Sequence, residues 1–131
     1  MPPKPSNPPR PTEAELEILT VLWSHGPSTV REVHDTIVQR KATQYTTVLK
    51  LLQIMADKGL VRRDETARAH VYEASRPREW TQRQLAGDLL QRAFGGSAKS
   101  LMVGALSARK ASQDELDEIR KLLDDYERKP R

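Results

Sequence analysis

Apolar positions three and four residues apart mark the most regular stretch of the chain, residues 43–59, T-Q-Y-T-T-V-L-K-L-L-Q-I-M-A-D-K-G. On a helix with 3.6 residues per turn, one side carries Val48, Leu51, Leu52 and Met55, and the opposite side carries Thr46, Lys50, Gln53 and Asp57. We predict a helix that begins at Thr43 or Gln44 and ends at Gly59, because glycine readily adopts the left-handed conformation of a helix end. One face is then buried, and the other presents hydroxyl, amide and ammonium groups that suit phosphate oxygens and base edges.

Two further helices are predicted upstream, each with a capping-box start. Thr12 precedes Glu15 by three residues, and Thr29 precedes Glu32 by the same spacing, which lets each pair exchange hydrogen bonds at a helix N-terminus. The segment His25-Gly26-Pro27 separates the two helices. The inward positions are Leu16, Leu19, Leu22 and Trp23 in the first helix, and Val30, Val33, His34 and Ile37 in the second.

After Gly59 the pattern changes from helical to alternating. Residues 60–63 and 69–73 alternate with period two and are predicted to be strands, and residues 64–68 form a polar loop between them. The two strands form a hairpin with a charged tip. Three helices followed by a hairpin within roughly 65 residues is the layout of a winged helix-turn-helix, whose third helix enters the major groove of DNA.

The second half of the chain is predicted to be three helices with apolar faces. Their apolar positions include Leu85, Leu89, Phe94, Leu101, Ala105, Leu116, Ile119 and Leu123, and Ser112 with Glu115 forms a third capping box. About 50 residues rarely hold a core of their own, so these faces either fold back on the winged domain or pair with a second copy. Pairing is favoured because a two-fold dimer matches a palindromic DNA site, and we therefore predict that these residues form a homodimer interface.

These elements define a mainly α fold with a small β-hairpin wing. Residues 1–11 are predicted to be a disordered proline-rich arm, because proline removes hydrogen-bond donors and favours extended chain. Residues 12–77 are predicted to form the winged helix-turn-helix, and residues 78–131 the helical dimerisation domain.

Positive charge is concentrated around the third helix. The net charge of the chain is +4, and residues 40–63 carry six lysines and arginines against one aspartate, Asp57. A basic stretch of this kind is either a solvated face or an electrostatic footprint for nucleic acid, and the helix order favours the second. The predicted DNA-binding residues are Thr43, Gln44, Tyr45, Thr46, Thr47, Lys50 and Gln53 on the helix, and Arg62, Arg63 and Arg68 on the hairpin, where they would contact the DNA backbone.

Several function classes are excluded or disfavoured by composition. The chain has no cysteine, which excludes disulfides, thiolate metal sites and a cysteine nucleophile. The histidines His25, His34 and His70 are scattered, and no serine elbow or phosphate-binding glycine loop occurs, so we predict no enzyme, no metal site and no cofactor. No apolar run approaches the roughly 18 residues of a membrane span, and the N-terminus lacks a signal-peptide core. We expect a cytoplasmic protein without membrane insertion.

The motifs described above, taken in order, resemble the penicillinase-repressor family (BlaI/MecI, with the copper-responsive CopY repressors as relatives). The similar segments are T-E-A-E-L-E-I-L-T-V-L-W at 12–23, R-E-V-H at 31–34, Y-T-T-V at 45–48, K-G-L-V at 58–61, R-A-H-V-Y at 68–72, F-G-G-S at 94–97 and S-Q-D-E-L-D-E-I-R-K-L-L at 112–123. The resemblance covers about residues 12–126 and implies a dimeric transcriptional repressor of a pseudo-palindromic operator. It also implies that Thr46, Thr47 and Lys50 face the bases or phosphates.

The same resemblance raises the question of the inducing signal. The copper-responsive relatives carry a cysteine motif near the C-terminus, which this chain lacks. Other members of the family that this chain resembles respond to β-lactams and control antibiotic resistance. The resemblance implies that such members are inactivated by cleavage of an Asn-Phe bond in the helix after the F-G-G motif. The matching bond here is Gly104-Ala105, so a membrane sensor protease is a candidate partner although the Asn-Phe signature is missing. Two alternatives stay open: a winged-helix protein-interaction module, and a repressor that answers a different signal.

Overall fold

Six helices and three short strands make up residues 9–129, the part of the chain that this computed structural model describes. Their bounds are α1 (Glu13–His25), β1 (Ser28–Thr29), α2 (Val30–Val38), α3 (Tyr45–Lys58), β2 (Val61–Asp64), β3 (Val71–Ala74), α4 (Arg78–Ala93), α5 (Ala98–Ala108) and α6 (Gln113–Arg128). The order confirms the predicted fold class, mainly helical with a small antiparallel wing. Residues 1–8 of the predicted proline-rich arm lie outside the described residues.

The helix starts follow the capping patterns in the sequence. Thr12 and Thr29 each accept a hydrogen bond from the backbone N–H three residues later, at 3.2 Å, and the glutamates there accept one in return at 2.9 Å. Both predicted capping boxes are therefore confirmed. The third is only half formed: Ser112 accepts from the Glu115 N–H at 3.1 Å, but the Glu115 carboxylate pairs with Arg109 at 3.3 Å.

The sheet contains one strand that the periodicity did not reveal. Its order is β1-β3-β2, with Ser28 of β1 opposite Tyr72 and Val61 of β2 opposite Ala74. A two-residue strand is too short to show an alternating pattern, which explains why β1 was missed. The second wing strand begins at Val71, two residues later than predicted, so the loop at the wing tip is longer.

One hydrophobic core holds the three N-terminal helices against the sheet. Val48, Leu52 and Met55 are fully buried, which confirms that the apolar side of α3 faces inward, and Leu51 is partly buried at the edge of the core. Replacing a side chain of this kind by alanine typically costs about 2–5 kcal/mol. Burial of one side of α3 fixes which side chains its other side can present.

The chain divides into two compact units between Ala86 and Gly87, inside α4. The first turns of α4 belong to the N-terminal unit, because Thr81 is buried and the Arg78 guanidinium donates to the Ser24 hydroxyl at 3.1 Å. This division therefore lies later in the chain than the boundary at residues 77 and 78 that the sequence suggests. The assignment of dimerisation to the second part stays a prediction.

In the C-terminal unit, no residue of α5 or α6 is buried. Large apolar side chains are instead exposed, including Val103, Leu122, Leu123 and Tyr126. Within residues 9–129, no helix combines the length and the apolar character that crossing a membrane would require.

Candidate nucleic-acid interface

A row of polar side chains lies on the exposed side of α3. Thr46, Lys50 and Gln53 are exposed on the side of the helix opposite to its buried apolar stripe. Thr47 is also exposed but lies on the flank of the helix, where it lines a groove with residues of α1 and α2. Lys50 forms no ion pair within the described part of the chain, so its ammonium group is available to an external anion. The row has the donor groups that hydrogen-bond to base edges and phosphate oxygens.

The N-terminal end of α3 is open to an anion. Gln44 is the N-cap residue, and its carbonyl oxygen accepts hydrogen bonds from the N–H groups of Thr47 and Val48 at 3.1 and 3.3 Å. The Gln44 side chain makes no capping hydrogen bond. The first backbone N–H groups of the helix therefore point outward without a side-chain acceptor, and the positive end of the helix dipole favours a phosphate there.

The residues just before α3 are held by the preceding helix. The Nε2 atom of His34 lies 2.7 Å from the carbonyl oxygen of Thr43, and the His34 ring meets the Tyr45 ring edge-on at 5.8 Å between centroids. Thr43 is partly buried, and its hydroxyl donates to the carbonyl oxygen of Lys41 at 3.0 Å. Thr43 therefore helps to fix the start of α3, whereas Gln44 and Tyr45 are exposed beside the polar row.

A groove of about 440 Å³ separates α3 from the wing. Its lining residues are Thr29, Val30, Arg31, Tyr45, Leu49, Gln53, Arg63, Arg68, Ala69, His70 and Tyr72. The structure thus brings together four predicted site residues, Tyr45, Gln53, Arg63 and Arg68, from one helix and one hairpin. It also adds Arg31 and His70, which were not predicted as site residues. Both lie in segments that resemble the family, R-E-V-H and R-A-H-V-Y, but those segments do not indicate which side chains reach the groove.

The two arginines of β2 lie on different sides of the hairpin, as the alternation of a strand requires. Arg62 pairs with Glu73 at 3.2 Å and does not line the groove, and Arg63 pairs with Glu65 at 3.1 Å. The hydrogen bond with buried Tyr72, followed by the charge of Glu65, raises the pKa of Arg63 above its ordinary value. Both arginines are therefore already engaged by carboxylates of the wing.

The turn at the tip of the wing is fixed by a short side-chain motif. Asp64 accepts hydrogen bonds from the Thr66 hydroxyl at 2.7 Å and from its backbone N–H at 2.9 Å, which lowers the pKa of the Asp64 carboxyl. An aspartate that bonds two residues onward stabilises a turn. The longer loop that follows carries Arg68 to the groove.

Seven of the eight predicted dimerisation residues lie in the C-terminal unit, whereas Leu85 lies in the N-terminal unit. Leu89, Ala105 and Leu123 are exposed, and the other five, Leu85, Phe94, Leu101, Leu116 and Ile119, are partly buried. A groove of about 370 Å³ between α5 and α6 includes Ala105, Ile119 and Leu123. Gly104 lies within α5, where an added Cβ would sit 3.4 Å from the Phe94 ring. Among residues 9–129, no group of three or more metal-ligating side chains occurs.

A helix-turn-helix pair that exposes the polar side of its second helix beside a basic hairpin defines a winged-helix protein. The sequence model of the penicillinase repressor family matches residues 11–125, nearly the whole chain. The chain belongs to the penicillinase repressor family, as the sequence motifs suggested.

Individual relatives agree with this assignment. The chain is 33% identical over 117 residues to the transcriptional regulator BlaI of Mycobacterium tuberculosis, covering 88% of this chain and 83% of that protein. It is 22% identical over 118 residues to the penicillinase repressor of Bacillus licheniformis, covering 90% and 92%. The solution structure of the DNA-binding domain of the repressor BlaI superposes with a TM-score of 0.50 and 24% identity, covering 55% of this chain and 88% of that one, which shows a shared fold. These relatives are regulators rather than enzymes.

Proposed function

We propose that this protein is a dimeric transcriptional repressor that binds a pseudo-palindromic operator in double-stranded DNA. The observation that carries the proposal is the exposed polar row of α3, Thr46, Thr47, Lys50 and Gln53, on a helix that is held in the core by its buried residues Val48, Leu52 and Met55. Membership of the penicillinase repressor family supports the repressor role. In the proposed complex, α3 lies in the major groove and the wing contacts the adjacent backbone.

The dimeric state is supported by the exposed apolar surface of the C-terminal unit. Leu122, Leu123 and Tyr126 are each more than half exposed on α6, and Val103 on α5 is exposed to a similar degree. An apolar surface of this kind in a regulatory protein commonly marks an interface. Pairing through α5 and α6 would give the two reading helices the two-fold relation that a pseudo-palindrome requires.

Proteolytic release is the regulatory part of the proposal. The Gly104-Ala105 bond lies in the middle of α5, and a protease must locally unwind a helix before it can cut there. A glycine in a helix interior costs about 1 kcal/mol relative to alanine, which eases such opening. Co-expression with a membrane sensor protease and a β-lactam tests this part: a C-terminal fragment beginning at Ala105 supports it, and an intact chain indicates a different signal.

The experiment that tests DNA binding is capture of sheared genomic DNA by the full chain, followed by footprinting of the recovered fragments. Affinity for a footprinted fragment is then measured from about 50 to 200 mM salt. Phosphate contacts release counterions, so we expect log K to fall linearly and steeply with log salt. A chain that protects no fragment, or whose partner binding hardly changes with salt, would instead be a protein-interaction module.

A further inference from the structure

Three arginines from three different elements line the groove between α3 and the wing. Arg31 comes from the first turn of α2, Arg63 from β2, and Arg68 from the loop at the wing tip. The eleven residues that line this groove include no aspartate and no glutamate. A concave surface with several fixed positive charges and no acid in its lining concentrates an anion.

The three arginines differ in how far they are already neutralised. Arg63 pairs with Glu65, as described above. Arg31 and Arg68 form no ion pair within residues 9–129, and both are exposed. The guanidinium carbon of Arg31 instead lies 5.8 Å from the centroid of the Tyr45 ring, at the start of α3.

The acid nearest to Arg31 in sequence, Glu32, forms no ion pair with it and has a different partner. The Glu32 carboxylate accepts the Thr29 N–H at 2.9 Å in the capping box of α2, and the hydrogen bonds with Thr29 lower its pKa. This carboxylate is therefore used within its own helix. Arg31 stays beside the Tyr45 ring, where a planar guanidinium can rest on an aromatic side chain and still donate outward.

We propose that Arg31 and Arg68 are the two walls of a clamp for a DNA phosphate in this groove, whereas Arg62 and Arg63 chiefly stabilise the wing through their carboxylate partners. The inference rests on the proposed DNA-binding function and assigns its backbone contacts to particular residues. Arginine suits this role, because its donors form a fork that matches the oxygens of a phosphate. The contacts fix the position of the protein on the duplex and do not read sequence.

The test is the salt dependence of binding of the full-length protein to a mixed-sequence duplex of about 30 base pairs, measured by fluorescence anisotropy. Each lost phosphate contact should lower the slope of log K against log salt by about 0.9 for each bound protomer. We expect a loss of up to this size for Arg31→Gln and for Arg68→Gln. Because both arginines hold the same phosphate, the double variant should lose about 0.9 per protomer and not twice that amount. Arg31→Lys should keep most of the slope, since the charge remains.

Two control variants test whether the loss of slope is specific to the arginines of the groove. Lys99→Gln removes one exposed positive charge from α5 and should leave the slope unchanged. The double variant Arg62→Gln with Glu73→Gln removes the wing ion pair without changing net charge, and should lower the slope by less than half as much as Arg31→Gln.

The same measurements distinguish a failure of the clamp proposal from a failure of the proposed DNA-binding function. If the wild type binds DNA with a steep slope but Arg31→Gln and Arg68→Gln keep that slope, the clamp is refuted and DNA binding stands. If Arg62→Gln with Glu73→Gln lowers the slope more than Arg31→Gln does, the assignment is reversed and is likewise refuted. If the wild type binds no DNA at any salt concentration, both proposals are wrong.

Discussion

The ammonium nitrogen of Lys58 lies 2.9 Å from Oε2 and 3.1 Å from Oε1 of Glu15, and this ion pair joins the end of α3 to the start of α1. Glu15 is almost completely buried, and its Oε1 also accepts the Thr12 N–H at 2.9 Å. Burial raises the pKa of Glu15, but the hydrogen bond from Thr12 and the bond and charge of Lys58 outweigh it, so the pKa is lowered. The helix that presents the polar row is thus fixed at its far end by charge.

Glu15→Gln should lower the free energy of unfolding by about 2–3 kcal/mol. Removing one partner of a buried ion pair typically costs about 3–5 kcal/mol, and a smaller loss is expected here because one third of the Lys58 side chain stays exposed. Urea unfolding checks the value. Glu13→Gln, at an exposed position in the same turn, should change stability by less than about 0.5 kcal/mol, and equal losses for both variants would refute the special role of Glu15.

The same ion pair predicts how stability depends on pH. The pKa of Glu15 in the folded state lies below its ordinary value of 4.5, so the ionised carboxylate stabilises the folded state above about pH 4.5. This contribution is lost as the pH falls through the folded-state pKa. Between about pH 5 and pH 3, the urea midpoint of the wild type should fall more steeply than that of Glu15→Gln. Parallel curves for the two proteins would contradict the assignment.

Replacing either of two glycines by alanine should change the free energy of unfolding, but in opposite directions. Gly59 ends α3 with a φ of +83°, a left-handed conformation, so Gly59→Ala should cost about 1–2 kcal/mol. Gly87 lies within α4, and no atom beyond the neighbouring residues and backbone of its own helix lies within 4 Å of an added Cβ, so Gly87→Ala should gain about 0.5–1 kcal/mol. Thermal unfolding of both variants measures the difference. A destabilised Gly87→Ala would mean that this face of α4 is covered in the protein.

Leu123→Asp should convert the proposed dimer into a monomer. Leu123 is 56% exposed on the apolar side of α6, so it has little packing to lose within one chain, whereas a carboxylate cannot be buried between two copies without a partner. Sedimentation velocity reports the change. Lys121→Asp places the same carboxylate on an exposed position of the opposite side of α6 and should stay dimeric. Identical sedimentation of both variants and the wild type would contradict the assignment of this face.

Structural features that depend on residues close together in the sequence can be predicted from it, whereas contacts between residues far apart in the sequence cannot. The capping boxes at Thr12 and Thr29 involve partners three residues apart, and the apolar stripe of α3 repeats within one helix, so local patterns suffice. The Glu15–Lys58 pair joins residues 43 apart, and only the folded chain brings them together. Such a pair has no periodic signature.

The candidate DNA-binding site is likewise predictable from the sequence only where it depends on local patterns. The exposed side of α3 follows from the helical period, and the burial of the other side confirms it. The place of Arg31 in the groove depends on how α2 packs against α3 and how the wing folds back, and neither is a local property. Period two puts Arg62 and Arg63 on opposite sides of the wing, but it cannot tell that both have carboxylate partners.

The central claim, that the exposed row of α3 reads DNA, is tested most directly by comparing two double variants on a footprinted operator fragment and on its scrambled sequence. Thr46→Ala with Lys50→Ala removes a hydroxyl and an ammonium group from α3. Ser100→Ala with Lys99→Ala removes the same two groups from α5 and serves as the matched control.

Loss of two contacts to bases or phosphates should cost about 2–3 kcal/mol, and fluorescence anisotropy should therefore show operator affinity reduced by roughly 30- to 150-fold for the α3 variant. Its preference for the operator over the scrambled fragment should also fall, and the α5 variant should match the wild type in both quantities. An α3 variant that keeps the wild-type affinity and preference, with its fold intact by circular dichroism, would contradict the account.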